Sequence, residues 1–261
     1  MERFGLERVT SLGRSGSTLL LRVRAGRIVV KRIDARRDPG RYRELIDRLS
    51  GARPPLSPRL LDVVADGADC WYALFEFVET RTDRPVLELR DVLELLERLR
   101  ACEAVPPWPL ESWWLERLRP ALAGERAAAS ILERLEDTVP SGPRVLAHGD
   151  FNVPNLIMAR AGVALVDWEE VGAAPYGFDA GWLLALARAE AGVRWPYEAL
   201  RRALVDARFP TANLEWFERL GVLRLLYRAQ TDVVPEPVRP LVVAAIRRVV
   251  AGLEADKAAG A

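Results

Sequence analysis

Asp150, Asn155 and Asp167 are the residues of this chain best suited to chemistry, and the run LAHGDFNVPNLIM, Leu146 to Met158, holds the first two. The same run contains His148, the only histidine, and Asn152, so two of just three asparagines fall within it; Asn213 is the third. A chain written largely in Arg, Ala and Leu has gathered its scarce polar types around one aspartate. An aspartate of ordinary pKa, about 3.9, is ionised near neutrality and can orient a hydroxyl and accept its proton. Asn155 follows it by five positions, and Asp167 ends the run VALVD. Both offer hard oxygen donors. Magnesium takes one or two such oxygens from protein and the rest from phosphate and water, so a carboxylate base with an Asn/Asp pair suits metal-dependent phosphoryl transfer. Each piece also has a plainer reading. His-Gly-Asp is a common turn with a capping aspartate, and Asp167-Trp168-Glu169 could be an ordinary strand exit.

The lysines add a second lead. Positive charge is nearly all arginine; the only lysines are Lys31, inside the apolar run IVVKRI, and Lys257, in the tail EADKAAGA. A lysine kept in an apolar strand suggests a site wanting a compact point charge, the alternative being an edge-strand side chain that snorkels to solvent.

These residues need elements to position them. Ser17–Arg24 and Arg27–Ile33 read as strands joined by a turn at Ala25-Gly26, after the glycine-containing stretch LGRSGST. Residues 40–50 have helical spacing, with Tyr42, Leu45, Ile46 and Leu49 as the apolar stripe. Past the Pro-rich ARPPLSP, the runs LLDVV and CWYALFEFV read as two more strands separated by ADGAD. The remainder is mostly helical. Helices are expected over 85–102 and 125–137, with VPPWPLESWW between them a packed connection whose tryptophans are core. NLIMA and VALVD form a hairpin around Arg160-Ala161-Gly162, able to bring Asn155 near Asp167. From Phe178 onward helices break near Arg194-Trp195-Pro196, Phe209-Pro210 and Val234-Pro235. The expected division is a nucleotide-binding lobe at 1–78 and a catalytic and acceptor-binding lobe at 79–261.

Composition narrows the class. The 261 residues are 50% hydrophobic and 29% charged, as in a globular protein with a proper core. A net charge of +1 gives no field favouring nucleic acid or a membrane surface. Cys70 and Cys102 are too few for a disulfide framework and lack metal-ligand spacing. The first residues lack the apolar core of a signal peptide and no apolar run is long enough for a bilayer, so a cytoplasmic location is the expectation. No internal repeat or low-complexity tract is visible.

HGDFNVPN resembles the catalytic loop of aminoglycoside phosphotransferases and choline-kinase-like enzymes, a branch of the protein-kinase fold. In the protein-kinase pattern His-Arg-Asp precedes the asparagine; here Gly149 replaces the arginine that would pair with a phosphorylated loop, implying no need for such phosphorylation. The resemblance spans roughly residues 10–185 and implies an α+β, two-lobed protein-kinase-like fold, with a small antiparallel β-sheet N-lobe and a larger, mainly helical C-lobe. It makes Asp150 the catalytic base, Asn155 and Asp167 magnesium ligands, His148 an organiser of the loop, and Glu169 an auxiliary to metal or substrate. Asp179, in Phe178-Asp179, is expected to brace the catalytic loop. Lys31 matches the lysine on the α- and β-phosphates, with Glu44 on the next helix as its ion-pair partner. LGRSGST takes the place of the phosphate-covering loop, with Ser15, Gly16 and Ser17 among its donors. It departs from the full G-x-G-x-x-G form. Glu76-Phe77-Val78 matches the hinge that bonds adenine.

The implied activity is transfer of the γ-phosphoryl of ATP or GTP to a hydroxyl of an aminoglycoside, amino alcohol, sugar or similar metabolite, with Mg2+. The competing reading is a pseudokinase, binding nucleotide or a partner without transfer. An enzyme for polycations needs a carboxylate-lined groove. Beyond Gly181, acids at 190, 198, 206, 215, 218 and 232 are outnumbered by interspersed arginines.

Overall fold

The structure is a computed structural model that describes residues 6–12, 18–23, 26–34, 37–66, 70–79, 87–103, 106–159, 162–231 and 236–258. Two compact units emerge, one of residues 1–87 with 154–170 and one of residues 88–153 with 171–261.

In the first unit, strands β1 (Leu6–Leu12), β2 (Thr18–Val23) and β3 (Gly26–Asp34) precede helix α1 (Pro39–Gly51), then β4 (Leu60–Asp66) and β5 (Cys70–Glu76). The strands form one antiparallel sheet in the order β1-β2-β3-β5-β4. Strand alternation decides what β3 offers each side. Ile28 and Val30 pack with Leu74 on one face. Lys31 and Ile33 take the other parity, opposite Ala73 and Trp71 of β5. Helix α1 starts where Asp38 accepts the backbone N–H of Arg41 at 2.8 Å, with Pro39 next to it. Its buried stripe is Tyr42, Leu45, Ile46 and Leu49, and the Tyr42 ring meets Trp71 edge-on at 4.9 Å. β1 escaped the sequence reading, because LERVTSL mixes charge with a broken alternation and pairs with β2 through a register shift between Leu6 and Arg8.

The second unit opens with α2 (Leu89–Arg100), α3 (Leu110–Leu122) and α4 (Arg126–Asp137), followed by β6 (Arg144–Ala147). The stretch expected as a connection instead leads into α3, whose residues Leu110, Trp114, Leu115, Leu118 and Leu122 are buried at helical spacing. Prolines at the cap, Pro109, and near the end, Pro120, hid this helix. Trp114 is core as expected, 2% exposed. The hairpin β7 (Leu156–Ala159) and β8 (Gly162–Leu165) belongs to the first unit, where Leu165 N–H donates to the carbonyl of Leu56 at 2.9 Å. The unread strand β9 (Gly172–Pro175) pairs with β6. Helices α5 (Phe178–Arg188), α6 (Tyr197–Asp206), α7 (Thr211–Gln230) and α8 (Arg239–Ala258) complete the unit. The breaks between α5, α6 and α7 fall at the two described proline sites; Val234-Pro235 lies outside the described residues. Every residue of α5 from Phe178 to Ala187 is buried, and Gly181 lets α7 approach so closely that a Cβ there would lie 2.8 Å from the Phe217 carbonyl carbon. Among the described residues no helix is long and apolar enough to cross a membrane.

Candidate active site

In the first unit the site is organised by Lys31. Its side chain is buried on the α1 side of β3, and Nζ lies 2.6 Å from Asp167 Oδ1 and 3.3 Å from Glu169 Oε2. Burial opposes its charge, but the two carboxylates outweigh burial and hold its pKa above the ordinary lysine value. Glu169 is pushed up to about 7, by burial first and by Asp167 beside it, against the pull of Lys31. Arg37 Nε donates to the Glu169 carbonyl at 3.1 Å, and the Arg37 carbonyl accepts from Trp71 Nε1 at 2.9 Å. Tyr42 lies beneath, its buried hydroxyl without a hydrogen-bond partner and its pKa raised by burial and then by Asp167.

Asp167 does not end β8, as its place in VALVD suggested; the strand stops at Leu165. Asp167 adopts φ +68°, a left-handed turn in which aspartate is among the better tolerated side chains, before the 3-10 turn Trp168–Glu170. One residue earlier, Val166 N–H donates to the Asn155 carbonyl at 2.9 Å. The hairpin therefore joins the backbones beside Asn155 and Asp167.

Glu44 is a correction. It is exposed on α1 and pairs with Arg48 one turn on, at 2.7 Å, while Lys31 takes Asp167 and Glu169. Ser15, Gly16 and Ser17 lie outside the described residues. At the end of β5, Glu76 accepts from the Arg59 backbone at 3.2 Å, and Phe77 N–H donates to Arg27 at 3.3 Å. Val78 makes no backbone hydrogen bond among the described residues.

In the second unit the run beginning His148-Gly149-Asp150 leaves β6. His148 is fully buried, and Gly149 turns with φ +88°, a conformation that strains any side chain, so the glycine has a backbone reason to be there. Asp179, buried in the first turn of α5, accepts His148 N–H at 2.7 Å and Gly149 N–H at 3.0 Å. Burial raises its pKa against the opposing pull of His148 and these donors.

Two arginines of α7, not singled out from the sequence, reach the same loop. Arg224 is 1% exposed, its guanidinium 4.1 Å from the ring centroids of both Trp114 and Trp182, and it donates to the Gly149 carbonyl at 2.8 Å. Arg228 Nη1 donates to Asp150 Oδ1 at 2.9 Å. Burial alone would raise the Asp150 pKa; Arg228, Arg224 and His148 outweigh it and hold the carboxyl below the ordinary aspartate value. Their i, i+4 spacing on a buried helix was the only sequence signal, lost among so many arginines.

Residues 8–220 match the model of the APH phosphotransferase enzyme family. The chain belongs to that family. This phosphotransferase acts on hydroxyl groups of small molecules. No curated protein sequence matches it. Among solved structures, it is similar to aminoglycoside phosphotransferase APH(4)-Ia, at 14% identity and TM-score 0.69, over 97% of this chain and 95% of that one. It is also similar to amicoumacin kinase hAmiN in complex with AMP-PNP, Ca2+ and Ami, at 12% identity and TM-score 0.67, over 95% and 89% of the two chains. A third is APH(3'')-Id from Streptomyces rimosus, at 20% identity and TM-score 0.58, over 82% and 92%. At these identities the likeness establishes the fold, the α+β protein-kinase-like one, for this phosphotransferase.

Proposed function

We propose that the protein transfers the γ-phosphoryl group of ATP or GTP to a hydroxyl of a small metabolite, with Asp150 as the base. The observation that carries this reading is the pairing of Asp150 Oδ1 with Arg228 Nη1 at 2.9 Å, on a loop also held by Arg224. A half-buried carboxylate kept ionised by Arg228 and Arg224 is ready to orient an incoming hydroxyl and accept its proton. Asp179 fixes the backbone on which it sits, and His148, closed away from solvent, organises the turn. Lys31 supplies a positive charge for the α- and β-phosphates, raised in pKa so that it never loses its proton in the working range. Ser15, Gly16 and Ser17 are assigned to covering the phosphates, and the backbone of Val78, just past the end of β5 with Glu76, to meeting the adenine or guanine edge.

Asn155 and Asp167 fit Mg2+ by the chemistry of their donors: one neutral and one anionic hard oxygen, joined through the hairpin backbone. Among the described residues no three His, Cys, Asp or Glu side chains gather into a closed metal cage, which suits an ion completed by phosphate and water. Bound there, magnesium supplies charge neutralisation for the phosphates. Two similar structures, APH(4)-Ia in complex with AMP-PNP and hygromycin B and hAmiN in complex with AMP-PNP, support a nucleotide donor.

For the acceptor, the α7 acids are already committed. Glu218 is buried against Arg188 and Tyr197, and Glu215 pairs with Arg201 at 3.2 Å. That favours a sugar, amino alcohol or similar metabolite over a polycation, which would require unpaired carboxylates in a groove.

Nucleoside-diphosphate release with Mg2+ and ATP or GTP, against a panel of sugars, amino alcohols and aminoglycosides, tests the reading. Acceptor-dependent release is expected. Nucleotide binding without release for any acceptor would convert the protein to a pseudokinase. Asp167→Ala should weaken Mg-nucleotide binding by about tenfold or more through its lost metal ligand; affinity equal to the parent in a fluorescence titration would remove Asp167 from the metal.

A further inference from the structure

The α7 arginines do more than keep Asp150 charged: they hold the loop that carries it. Arg224 is locked between two tryptophans and fastens the carbonyl of Gly149. Arg228 lies one helical turn further along the same face and reaches the neighbouring residue, Asp150. Successive turns of a buried helix thus grip successive residues of the loop. Arg224 is 1% exposed and packed against both rings, so the turn of α7 that carries it is anchored to the loop. Arg228 is half-buried, with its side chain 21% exposed, as is Asp150 at 17%, so their contact is weakly screened by water. A carboxylate bonded through one oxygen to a fixed guanidinium loses the freedom to spin about its χ2 angle. That freedom is what a base must lose before a hydroxyl can meet it in line.

We propose that Arg228 is a positioning residue for phosphoryl transfer: anchored through Arg224 and α7, it holds the Asp150 carboxylate in the orientation that receives the acceptor hydroxyl. The inference rests on Asp150 being the base. The charged and titratable groups acting on Asp150 are Arg224 and Arg228 from α7 and His148 from its own loop, with Asp179 of α5 behind the His148 and Gly149 amides. Arg228 bonds the carboxylate side chain directly. A guanidinium also donates at a fixed angle, which an ammonium point charge does not. Charge and orientation are therefore separable by substitution.

The test uses the full chain labelled with 13C at aspartate carboxyls, Asp150→Asn assigning the resonance, and the variants Arg228→Gln and Arg228→Lys. Arg228→Gln should raise the Asp150 carboxyl pKa by about one to three pH units, since a cation in contact is removed. The sign follows for catalysis: the base is active only when ionised, so the acid limb of the kcat profile moves to higher pH. At pH 8, above both limbs, Arg228→Gln should still lose about tenfold in kcat through lost orientation, with KM for the nucleotide within about twofold. Arg228→Lys should keep the carboxyl pKa near the parent value yet lower kcat at pH 8, because it restores charge without the directed bond. A carboxyl pKa unchanged in Arg228→Gln, or parental kcat at pH 8 in both variants, would overturn the proposal. Should Arg228→Gln fail to fold, shown by loss of the parent's thermal transition, Arg228→Lys decides: parental kcat overturns the role, reduced kcat with unchanged carboxyl pKa supports it. If the parent transfers phosphoryl to none of the acceptors, the functional reading fails by itself. The titration then still decides whether Arg228 governs the carboxylate, and an unmoved pKa overturns that too.

Discussion

Asp150→Asn is expected to lower turnover of any acceptor by about 10²- to 10⁴-fold, the range of a general base, while Mg-nucleotide affinity stays within a few-fold. Asparagine matches aspartate in shape and keeps an oxygen to accept the Arg228 N–H, now 2.9 Å from Asp150 Oδ1. What it loses is the negative charge and the ability to receive a proton. The parent carboxyl is held below the ordinary aspartate pKa, so it is ionised throughout any neutral assay and the whole population of enzyme carries the active form. The variant imitates the protonated form, the one the parent avoids. Steady-state rates at saturating nucleotide measure the loss, and retention of more than about a tenth of the parent's kcat would end the assignment of Asp150 as base.

Gly181→Ala is expected to destabilise the protein sharply. In most helices this change gains up to about 1 kcal/mol from backbone entropy. Here the added Cβ would lie 2.8 Å from the Phe217 carbonyl carbon and 2.9 Å from the Glu218 backbone nitrogen, so it meets the partner helix's main chain. A flexible side-chain tip could swing away; backbone inside α7 cannot move without carrying the helix. Overpacking of this kind costs about 1–3 kcal/mol or more, and the clash with backbone puts this site at the upper end. At about 2–4 °C per kcal/mol for a chain of this size, a fall in thermal midpoint of about 6–12 °C is expected. Gly252→Ala, in α8 with nothing within 4 Å of the new Cβ, is the control and should hold or raise the midpoint. Equal midpoints for Gly181→Ala and the parent would contradict the close approach of α5 and α7. The same displacement would shift Arg224 and Arg228, both on α7, so activity should fall with stability.

Local pattern was legible where an element's own residues determine it. The α1 stripe, the β2–β3 and β4–β5 runs and the β7–β8 hairpin all follow from periodicity and turn residues close together in the chain. The scarce types around Asp150 pointed to the loop for the same reason. Distance in the chain hid the rest. Arg228 meets Asp150 across 78 positions, and in a chain so rich in arginine nothing distinguishes it from a solvated one. The apolar run around Lys31 suggests a site wanting a point charge, and the side chain is buried; its partner, expected on the adjacent helix, is found 136 and 138 positions on, at Asp167 and Glu169. β9, four residues of Gly, Ala and Pro, has too little side chain for strand propensity to register; pairing with β6 makes it a strand.

The first compact unit is written in two instalments, residues 1–87 and 154–170. A ribosome delivers the second only after 66 intervening residues of the other unit, 88–153, have emerged. Until then the amino-terminal sheet lacks the bond from Leu165 to Leu56, and Lys31 is an apolar-strand cation with neither of its carboxylates. An uncompensated buried charge of that kind is costly. A fragment of residues 1–87 should therefore show no cooperative melting transition, and adding residues 154–170 as a separate peptide should bring one back. During synthesis the first unit is therefore completed only after residues 88–153 of the second have emerged, and Lys31 gains its two carboxylates at that point.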